Sequence, residues 1–408
     1  MKPKLRYVDV IPVDTDQGEM FALRDPLGIA DEMIVVSRTA LFVMQFMDGC
    51  RNIEELTSSA YIAGQAQVEK RMIQELVSRL DELFFLDNQS FQRKKSSLEE
   101  ALLNAEVREA RHAGVSYPDN RDDLHKRLNS FFNAQNGAGK PDDSKKKLST
   151  PAAVVAPHID LRIGGAAYTH AWRRIAESEP ADVYVILGTG HAGLKDVFSV
   201  LPVDFETPLG VTPVDKKFIA NLQKNYDFEL FNDAFLHGTE HTIEFQTVFL
   251  RHAFPQRKVK IVPILCSFSF QALTFSEFSR EKELIAAFAE ALQKTIRDYE
   301  GTVTLVASVD LSHVGPRYGD QHTIDHNFLA EVERHDRAAL EHISQVDAEG
   351  WLKTNAETKD RYRICGFSPV YTMLQVCNAG RGEILKYEQG KMDDGVSHVS
   401  YCSAVLEN

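Results

Sequence analysis

Three apolar segments of this chain contain no charged residue until they end in side chains that bind metals or carry protons. AAVVAPH ends at His158, VYVILGTGH ends at His191, and TVTLVASVDLSH ends with Asp310 and His313. Apolar runs of this length are typical of strands that are buried on both faces of a parallel sheet. Because the carboxyl ends of such strands form the ligand crevice of an open α/β sheet, we expect the four side chains to converge.

Segments with helical spacing separate these strands. They cover residues 166–176, 213–224, 243–252, 281–298 and 322–343, and the strand-like run HVSYCSAVL closes the chain. Strands that alternate with helices predict an α/β domain around a central sheet. We assign this domain to residues 96–408 and expect its polar stretch at residues 133–150 to be a mobile loop.

The first 95 residues are predicted to form a separate helical domain. Ser37 is a candidate N-cap of a helix that runs to Met47, and Asn52 is a candidate N-cap of a second helix. A third helix is predicted over residues 68–83, and Phe84 follows it at the start of a short strand, FFLD. Three helices with a small strand pair favour a winged-helix fold, and a plain three-helix accessory domain is equally consistent with the pattern.

Charge and cysteine usage exclude several classes of protein. The formal net charge of −13 argues against a general nucleic-acid binder, which would carry a basic face. The apolar runs are too short to span a membrane, and the first residues do not form a signal peptide. Five cysteines without a Cys-x-x-Cys pair predict reduced thiols and a cytoplasmic location.

The strand-end cluster has the chemistry of a metal site. Two neutral imidazoles with one anionic ligand suit iron, copper or zinc. Spacing alone leaves the third ligand open between Asp310, Glu244 and Cys365. Cys365 lies in a turn before an apolar helix, where a metal or the helix N-terminus would stabilise a thiolate. His241 and Glu244 are spaced to share a helix face, but this pattern alone is more typical of an exposed polar pair than of a site.

From Arg108 onward, seven ordered segments resemble the Memo family, which in bacteria is called AmmeMemoRadiSam system protein B. These segments are REARHAGVSYPDN, APHIDLRIGG, LGTGHAG, EHTIEFQTVFL, SVDLSHVG, RICGFSPV and VSYCSAVL. The family is similar in fold to class III non-haem iron extradiol dioxygenases. The resemblance therefore implies an α/β fold with a central mixed sheet and one metal ion in its crevice.

The same resemblance implies a ligand set. His158, His191 and Cys365 match the family's metal-ligand positions. In the dioxygenases the anionic ligand is a carboxylate, so Cys365 is a departure that favours copper or a redox role over dioxygenase activity. Ala192 is a further departure, because a second histidine often follows the first at this point.

His241, Asp310 and His313 match polar positions around that ligand set. If the protein is an enzyme, His241 or His313 would move a proton, because imidazole titrates near neutral pH. Asp310 would orient a neighbouring histidine and fix its tautomer.

The resemblance implies a cytoplasmic mononuclear metal protein, with iron or copper favoured and zinc as an alternative, in a redox or dioxygenase-like role. It also implies a radical-SAM enzyme and an Amme-type protein as partners. FALRDPLG and FMDGCRNIEEL resemble the winged-helix modules that bind peptides in radical-SAM systems, so a peptide ligand is a further expectation. Two alternatives remain open: a zinc-type metal-dependent hydrolase and a non-catalytic peptide- or partner-binding adaptor.

Overall fold

The structure is a computed structural model that describes residues 2–407 except 17, 31, 64–67, 143, 145 and 146. The chain divides into two compact units, Met1–Ala101 and Leu102–Asn408, called here the N-terminal and C-terminal units. This division and the predicted boundary between residues 95 and 96 both fall within one helix, Gln89–Leu103.

The N-terminal unit is a small antiparallel sheet followed by helices. Its strands, in sheet order, are β1 (Asp9–Thr15), β2 (Gly18–Arg24) and β3 (Ile34–Val36). Its helices are α1 (Arg38–Met44), α2 (Ile53–Ile62), α3 (Lys70–Glu82) and the start of α4 (Gln89–Leu103). Leu23, Leu56 and Leu80 are among the residues of its fully buried core.

The three helices predicted for this unit are confirmed, and so are their two caps. Ser37 Oγ accepts a hydrogen bond from the backbone N–H of Ala40 at 3.2 Å. Asn52 and Glu55 form a reciprocal capping box, in which each side chain accepts from the other residue's backbone N–H, at 3.0 and 2.7 Å.

The winged-helix prediction is not confirmed, because the sheet of this unit precedes the helices. Of the predicted strand FFLD, the structure contains an isolated bridge between Leu86 and Leu5, and Phe84 has a left-handed φ of 60°. Strand β1 was not predicted because Pro12 lies within it. A proline is tolerated there because β1 is an edge strand, paired among the described strands with β2 alone.

The C-terminal unit is built on an eight-stranded mixed sheet in the order β11-β13-β5-β10-β6-β9-β7, with β12 also paired to β13. The strands of this unit are β4 (Val107–Arg108), β5 (Ala153–Ala156), β6 (Val183–Thr189), β7 (Phe198–Val200), β8 (Asp204–Phe205), β9 (Lys260–Cys266), β10 (Val303–Ser308), β11 (Asp310–Val314), β12 (Arg381–Lys391) and β13 (His398–Glu407). The short strands β4 and β8 pair separately. The predicted α/β domain with a central mixed sheet is confirmed.

Helices connect the strands of this sheet. They are α5 (Arg121–Phe132), α6 (Leu161–Ala176), α7 (Lys216–Asn225), α8 (Thr242–Ala253), α9 (Gln271–Thr274), α10 (Ser279–Arg297), α11 (His326–Ser344), α12 (Ala348–Glu357) and α13 (Phe367–Val376). Within the parts of the chain that the structure describes, no helix combines the length and apolar character needed to cross a bilayer.

The register of the central strands brings the predicted site together. Strands β5, β10 and β6 run parallel, and Ser308 at the end of β10 lies beside Ala156 of β5 and Gly188 of β6. The segments that carry His158, His191 and Asp310 therefore leave the sheet at the same edge, as the apolar runs predict.

The described part of residues 133–150 is irregular and hydrogen bonds to α6 and the turn after it. Ala138 N donates to Thr169 Oγ1 at 2.9 Å, and Leu148 N donates to the carbonyl oxygen of Glu177 at 2.9 Å. Three positions of the segment, 143, 145 and 146, lie outside the described residues. Its mobility stays a prediction.

A buried carboxyl group on α11 makes a pH-dependent contribution to stability. Asp336 accepts hydrogen bonds from Ser312 Oγ at 2.6 Å, Ser400 Oγ at 2.5 Å and Tyr387 OH at 2.8 Å. Burial outweighs these bonds and raises the pKa of Asp336 to about 6. Between about pH 4 and pH 6 the folded chain therefore holds a proton that the unfolded chain has released.

Because of this proton, we expect the free energy of unfolding to fall as the pH rises from about 4 to about 6. Above about pH 6, Asp336 should no longer make the free energy of unfolding depend on pH. The fall is about 1.4 kcal/mol for each unit by which the folded pKa exceeds the unfolded pKa. Urea unfolding of wild type and Asp336→Asn across this range isolates the contribution, because the variant lacks the titrating group. Parallel pH profiles for the two proteins would show that the assignment is wrong.

Candidate metal centre

His158, His191 and Cys365 converge at the carboxyl edge of the sheet. His158 Nε2 lies 3.1 Å from Cys365 Sγ. The ring centroids of the two histidines are 5.1 Å apart, with planes at 76°. One ligand atom from each of the three residues lies within 4.8 Å of the other two. The arrangement offers two imidazole nitrogens and one sulfur to a single ion.

The backbone of the neighbouring strand orients His158. Its Nδ1 lies 2.9 Å from the carbonyl oxygen of Ser308, at the end of β10. Because a carbonyl oxygen only accepts, Nδ1 carries the proton and Nε2 is left free to face Cys365. Burial, with smaller contributions from His191 and His241, lowers the pKa of His158 well below its usual value. The ring is therefore neutral, as a metal ligand must be.

A strained turn places Cys365 directly before α13. Asp360 and Arg363 have left-handed φ angles of 56° and 54°, and the Asp360 carboxylate accepts the backbone N–H of Ile364 at 3.0 Å. A Cβ atom at Gly366 would lie 2.5 Å from Val309 Cβ, so only glycine fits there. Burial raises the pKa of the Cys365 thiol. A cation in the site would reverse this effect and stabilise the thiolate.

Glu240 contacts Nδ1 of His191, and the sequence analysis did not identify Glu240 as a site residue. Glu240 Oε2 lies 3.1 Å from His191 Nδ1, and Oε1 lies 3.0 Å from His241 Nδ1. Burial opposes charge on these groups, but the attraction between Glu240 and the histidines outweighs it. The pKa of Glu240 therefore lies well below its usual value and the pKa of His191 well above it.

Glu244, one of the three candidates for the third ligand, belongs to a different cluster. Its carboxylate is fully buried and paired with Arg108. It also accepts hydrogen bonds from Tyr117 OH and from the backbone N–H of His112, the latter at 2.9 Å. These contacts, made by both carboxylate oxygens, turn Glu244 away from the candidate ligands.

Asp310 supports His158 through the backbone. Its Oδ1 accepts hydrogen bonds from the backbone N–H groups of His158 and Ile159 at 3.0 and 3.1 Å. Its Oδ2 lies 3.7 Å from His158 Nε2. Burial outweighs the two backbone bonds and raises the pKa of Asp310 to about 7. Asp310 thus fixes the end of β5 through the backbone, whereas the predicted role in fixing the tautomer of His158 falls to the carbonyl oxygen of Ser308.

His241 and His313 are the two other histidines predicted to lie near the centre. His241 stacks on His191, with centroids 5.2 Å apart and planes at 10°. His313 Nδ1 donates to the carbonyl oxygen of Leu311 at 2.9 Å, and its ring meets Tyr318 edge-on at 5.0 Å. Burial is the main cause that lowers the pKa of His313 to about 4.

Nδ1 of each of these four histidines faces an acceptor, and Nε2 of His158 faces Cys365 Sγ. The acceptors are the carbonyl oxygens of Ser308 and Leu311 and the carboxylate of Glu240. This pattern is the usual outer-shell arrangement of metal-binding and proton-carrying imidazoles. It follows from non-local contacts, which the sequence does not display.

His112 is a second residue near the site to which sequence analysis gave no role. Its Nε2 donates to the carbonyl oxygen of Thr239 at 3.0 Å, and its ring centroid lies 5.8 Å from that of His241. Its segment, REARHAGVSYPDN, was singled out for its family resemblance alone. His112 N and Tyr117 OH of this segment donate hydrogen bonds to Glu244 on α8, and these bonds hold the segment beside the site.

Comparison with known proteins assigns the chain to a family. A family model described as Memo-like protein matches residues 108–405. A MEMO1 family protein of Aquifex aeolicus is 30% identical over 409 residues, which cover 100% of both chains. MEMO1 family proteins of Thermus thermophilus and Methanopyrus kandleri are 28% and 26% identical. They cover 84% and 72% of this chain and 94% and 96% of their own lengths.

Proposed function

Because this chain belongs to the Memo-like protein family, we propose that it binds a single metal ion through His158, His191 and Cys365. The observation that carries the proposal is the approach of a neutral, pre-oriented imidazole nitrogen to within 3.1 Å of a half-buried cysteine sulfur. Three protein ligands leave a coordination position open, which is typical of catalytic sites and not of closed structural sites.

The ligand chemistry favours copper or iron. Thiolate is a soft ligand that suits copper, and imidazole suits copper, iron and zinc. When bound, such an ion would supply redox or Lewis-acid chemistry at its open position. We therefore propose a redox role, of which a dioxygenase-like reaction is one form.

The protein's own residues would bind and orient the substrate and move protons. The Nε2 atom of His241 is the first candidate proton carrier, because its Nδ1 is held by Glu240. His313 is the second, and because burial lowers its pKa to about 4 it would hold a proton less readily near neutral pH. Asp310, through the backbone at the end of β5, keeps His158 in place.

A second candidate function, a zinc-type hydrolase, is favoured by one further observation. His191, Glu240 and His241 form a group of two imidazoles and one carboxylate whose ligand atoms also lie within 4.8 Å of one another. Two histidines with a glutamate are a common ligand set of catalytic zinc.

Metal analysis of protein purified without oxygen, followed by activity assays, separates the two functions. Iron or copper in stoichiometric amount, with oxygen uptake or a redox-active centre, supports the redox proposal. Tightly bound zinc with ester or amide turnover and no oxygen uptake supports the hydrolase. Protein that binds none of these metals, even after reconstitution, contradicts both.

Partners and location are further proposals. From the family resemblance we propose a cytoplasmic protein that acts with a radical-SAM enzyme and an Amme-type protein.

A peptide ligand at the N-terminal unit is supported by the edge strand β3, where Val35 is 52% exposed and the preceding Met33 is 65% exposed. If the protein is an adaptor, Val35→Lys will weaken partner binding and leave the metal content unchanged. Partner binding equal to wild type would contradict this docking role.

A further inference from the structure

Glu240 is a buried carboxylate placed between two imidazoles. Its side chain is 9% exposed, whereas those of His191 and His241 are 40% and 31% exposed. Because an ionised carboxylate only accepts hydrogen bonds, both imidazoles must donate their Nδ1 protons to it. The same carboxylate thus contacts a candidate metal ligand and a candidate proton carrier.

Backbone donors hold Glu240 in one orientation. Oε2 accepts the backbone N–H of His191 at 3.0 Å. Oε1 accepts those of His241 and Thr242, at 2.9 and 3.3 Å, at the N-terminus of α8. Negative charge is favoured at a helix N-terminus, so the carboxylate stays ionised and stationary. Three backbone donors and two imidazole donors leave it little freedom to turn.

We propose that Glu240 is a positioning residue that fixes the tautomer and orientation of His191 and His241 together, so that both rings direct Nε2 towards the centre. The proposal rests on the proposed function for the role of the two rings, but the hydrogen bonds from Nδ1 to Glu240 are a property of the metal-free chain. One carboxylate would then keep the metal ligand and the proton carrier in a fixed relation, stacked at 10°.

An amide at this position cannot accept the same set of hydrogen bonds. Glu240→Gln keeps the shape of the side chain but replaces one acceptor oxygen with an NH2 donor. Whichever way the amide turns, the NH2 group faces a backbone N–H that needs an acceptor. It also removes either the acceptor of His241 Nδ1–H or the shorter of the two contacts of His191 Nδ1–H. The imidazole beside it is expected to rotate or to change to its other tautomer.

The first test needs no substitution. Long-range 1H–15N NMR of the histidine rings reports which nitrogen carries a proton, in metal-free and in zinc-loaded wild-type protein. We expect Nδ1 of both His191 and His241 to be protonated in both forms. An unprotonated Nδ1 on either ring would overturn the proposal, whatever the variants do.

The second test measures zinc affinity by competition with a chelator of known affinity. Glu240→Gln is expected to weaken zinc binding about 10- to 100-fold, as the loss of an outer-shell partner of a ligating histidine does. Asp215→Asn is the matched control, because Asp215 is a buried carboxylate whose bonds go to Phe218, Lys260 and Tyr299, away from the histidines. Asparagine still caps α7, and we expect its affinity to stay within about 2-fold of wild type.

The results separate this inference from the proposed function. Zinc affinity for Glu240→Gln equal to that of Asp215→Asn contradicts the positioning role and leaves metal binding intact. A wild-type protein that binds no metal, with both Nδ1 atoms protonated, contradicts the proposed function and supports the assigned geometry of Glu240. Glu240→Gln that binds zinc weakly while one ring changes tautomer supports both.

Discussion

Simultaneous replacement of His158, His191 and Cys365 by alanine is expected to abolish stoichiometric metal binding. Wild-type protein should bind one ion per chain, and the triple variant should bind none above background. The reason is that these side chains supply one sulfur and two nitrogen ligands within 4.8 Å of one another. The triple variant retains none of these ligand atoms, so it cannot coordinate the ion at this position.

A control variant removes the same kinds of side chain elsewhere. His322, His326 and Cys50 are exposed, and among the described residues none of them belongs to a group that can hold a metal. Their triple alanine variant should retain the wild-type metal content, measured by elemental analysis after gel filtration. Undiminished metal in the ligand variant, or equal loss in both variants, would contradict the assigned site.

The second large effect is expected at the buried ion pair beneath α8. Glu244→Gln should lower the free energy of unfolding by about 3–5 kcal/mol, because it leaves the Arg108 guanidinium charged and unpaired in the protein interior. Arg108 is 1% exposed and Glu244 is 0% exposed. Arg108 also donates to the carbonyl oxygen of His237 at 2.8 Å, and this bond holds the guanidinium in the interior. Urea unfolding followed by circular dichroism measures the loss.

Two comparisons make this result specific. Glu333→Gln breaks an exposed pair with Arg337 on α11, whose side chains are 42% and 59% exposed, and should cost no more than about 1 kcal/mol. Replacing Arg108 and Glu244 together with methionine removes both charges and should recover much of the lost stability. A loss for Glu244→Gln as small as that for Glu333→Gln would contradict the buried pair.

The fold was predictable where burial dictates the residue types. The strands that carry His158 and His191 are buried on both faces, so their sequences are continuous apolar runs that stand out. The N-terminal sheet was not predictable in this way. Strand β1 is largely exposed and contains Pro12, so neither periodicity nor composition indicates a strand. The helices of that unit were found because their caps, such as Asn52, are local signals.

The site was predictable in part for the same reason. Ligands at strand ends follow from sheet topology, but spacing alone left the third ligand open, and the family resemblance selected Cys365. Glu244 was a reasonable candidate because it shares a helix face with His241. Its partner Arg108 lies far away in the sequence, and no local pattern shows that this contact turns Glu244 away and leaves Glu240 to face the histidines.

The most direct test of the central claim is a crystal structure of the metal-loaded protein with anomalous scattering data at the metal edge. We expect one strong peak bonded to His158 Nε2, His191 Nε2 and Cys365 Sγ. For zinc, the distances should be about 2.0–2.1 Å to nitrogen and about 2.3 Å to sulfur. A peak bonded instead to Glu240 and His241, with Cys365 Sγ beyond bonding distance, would contradict it.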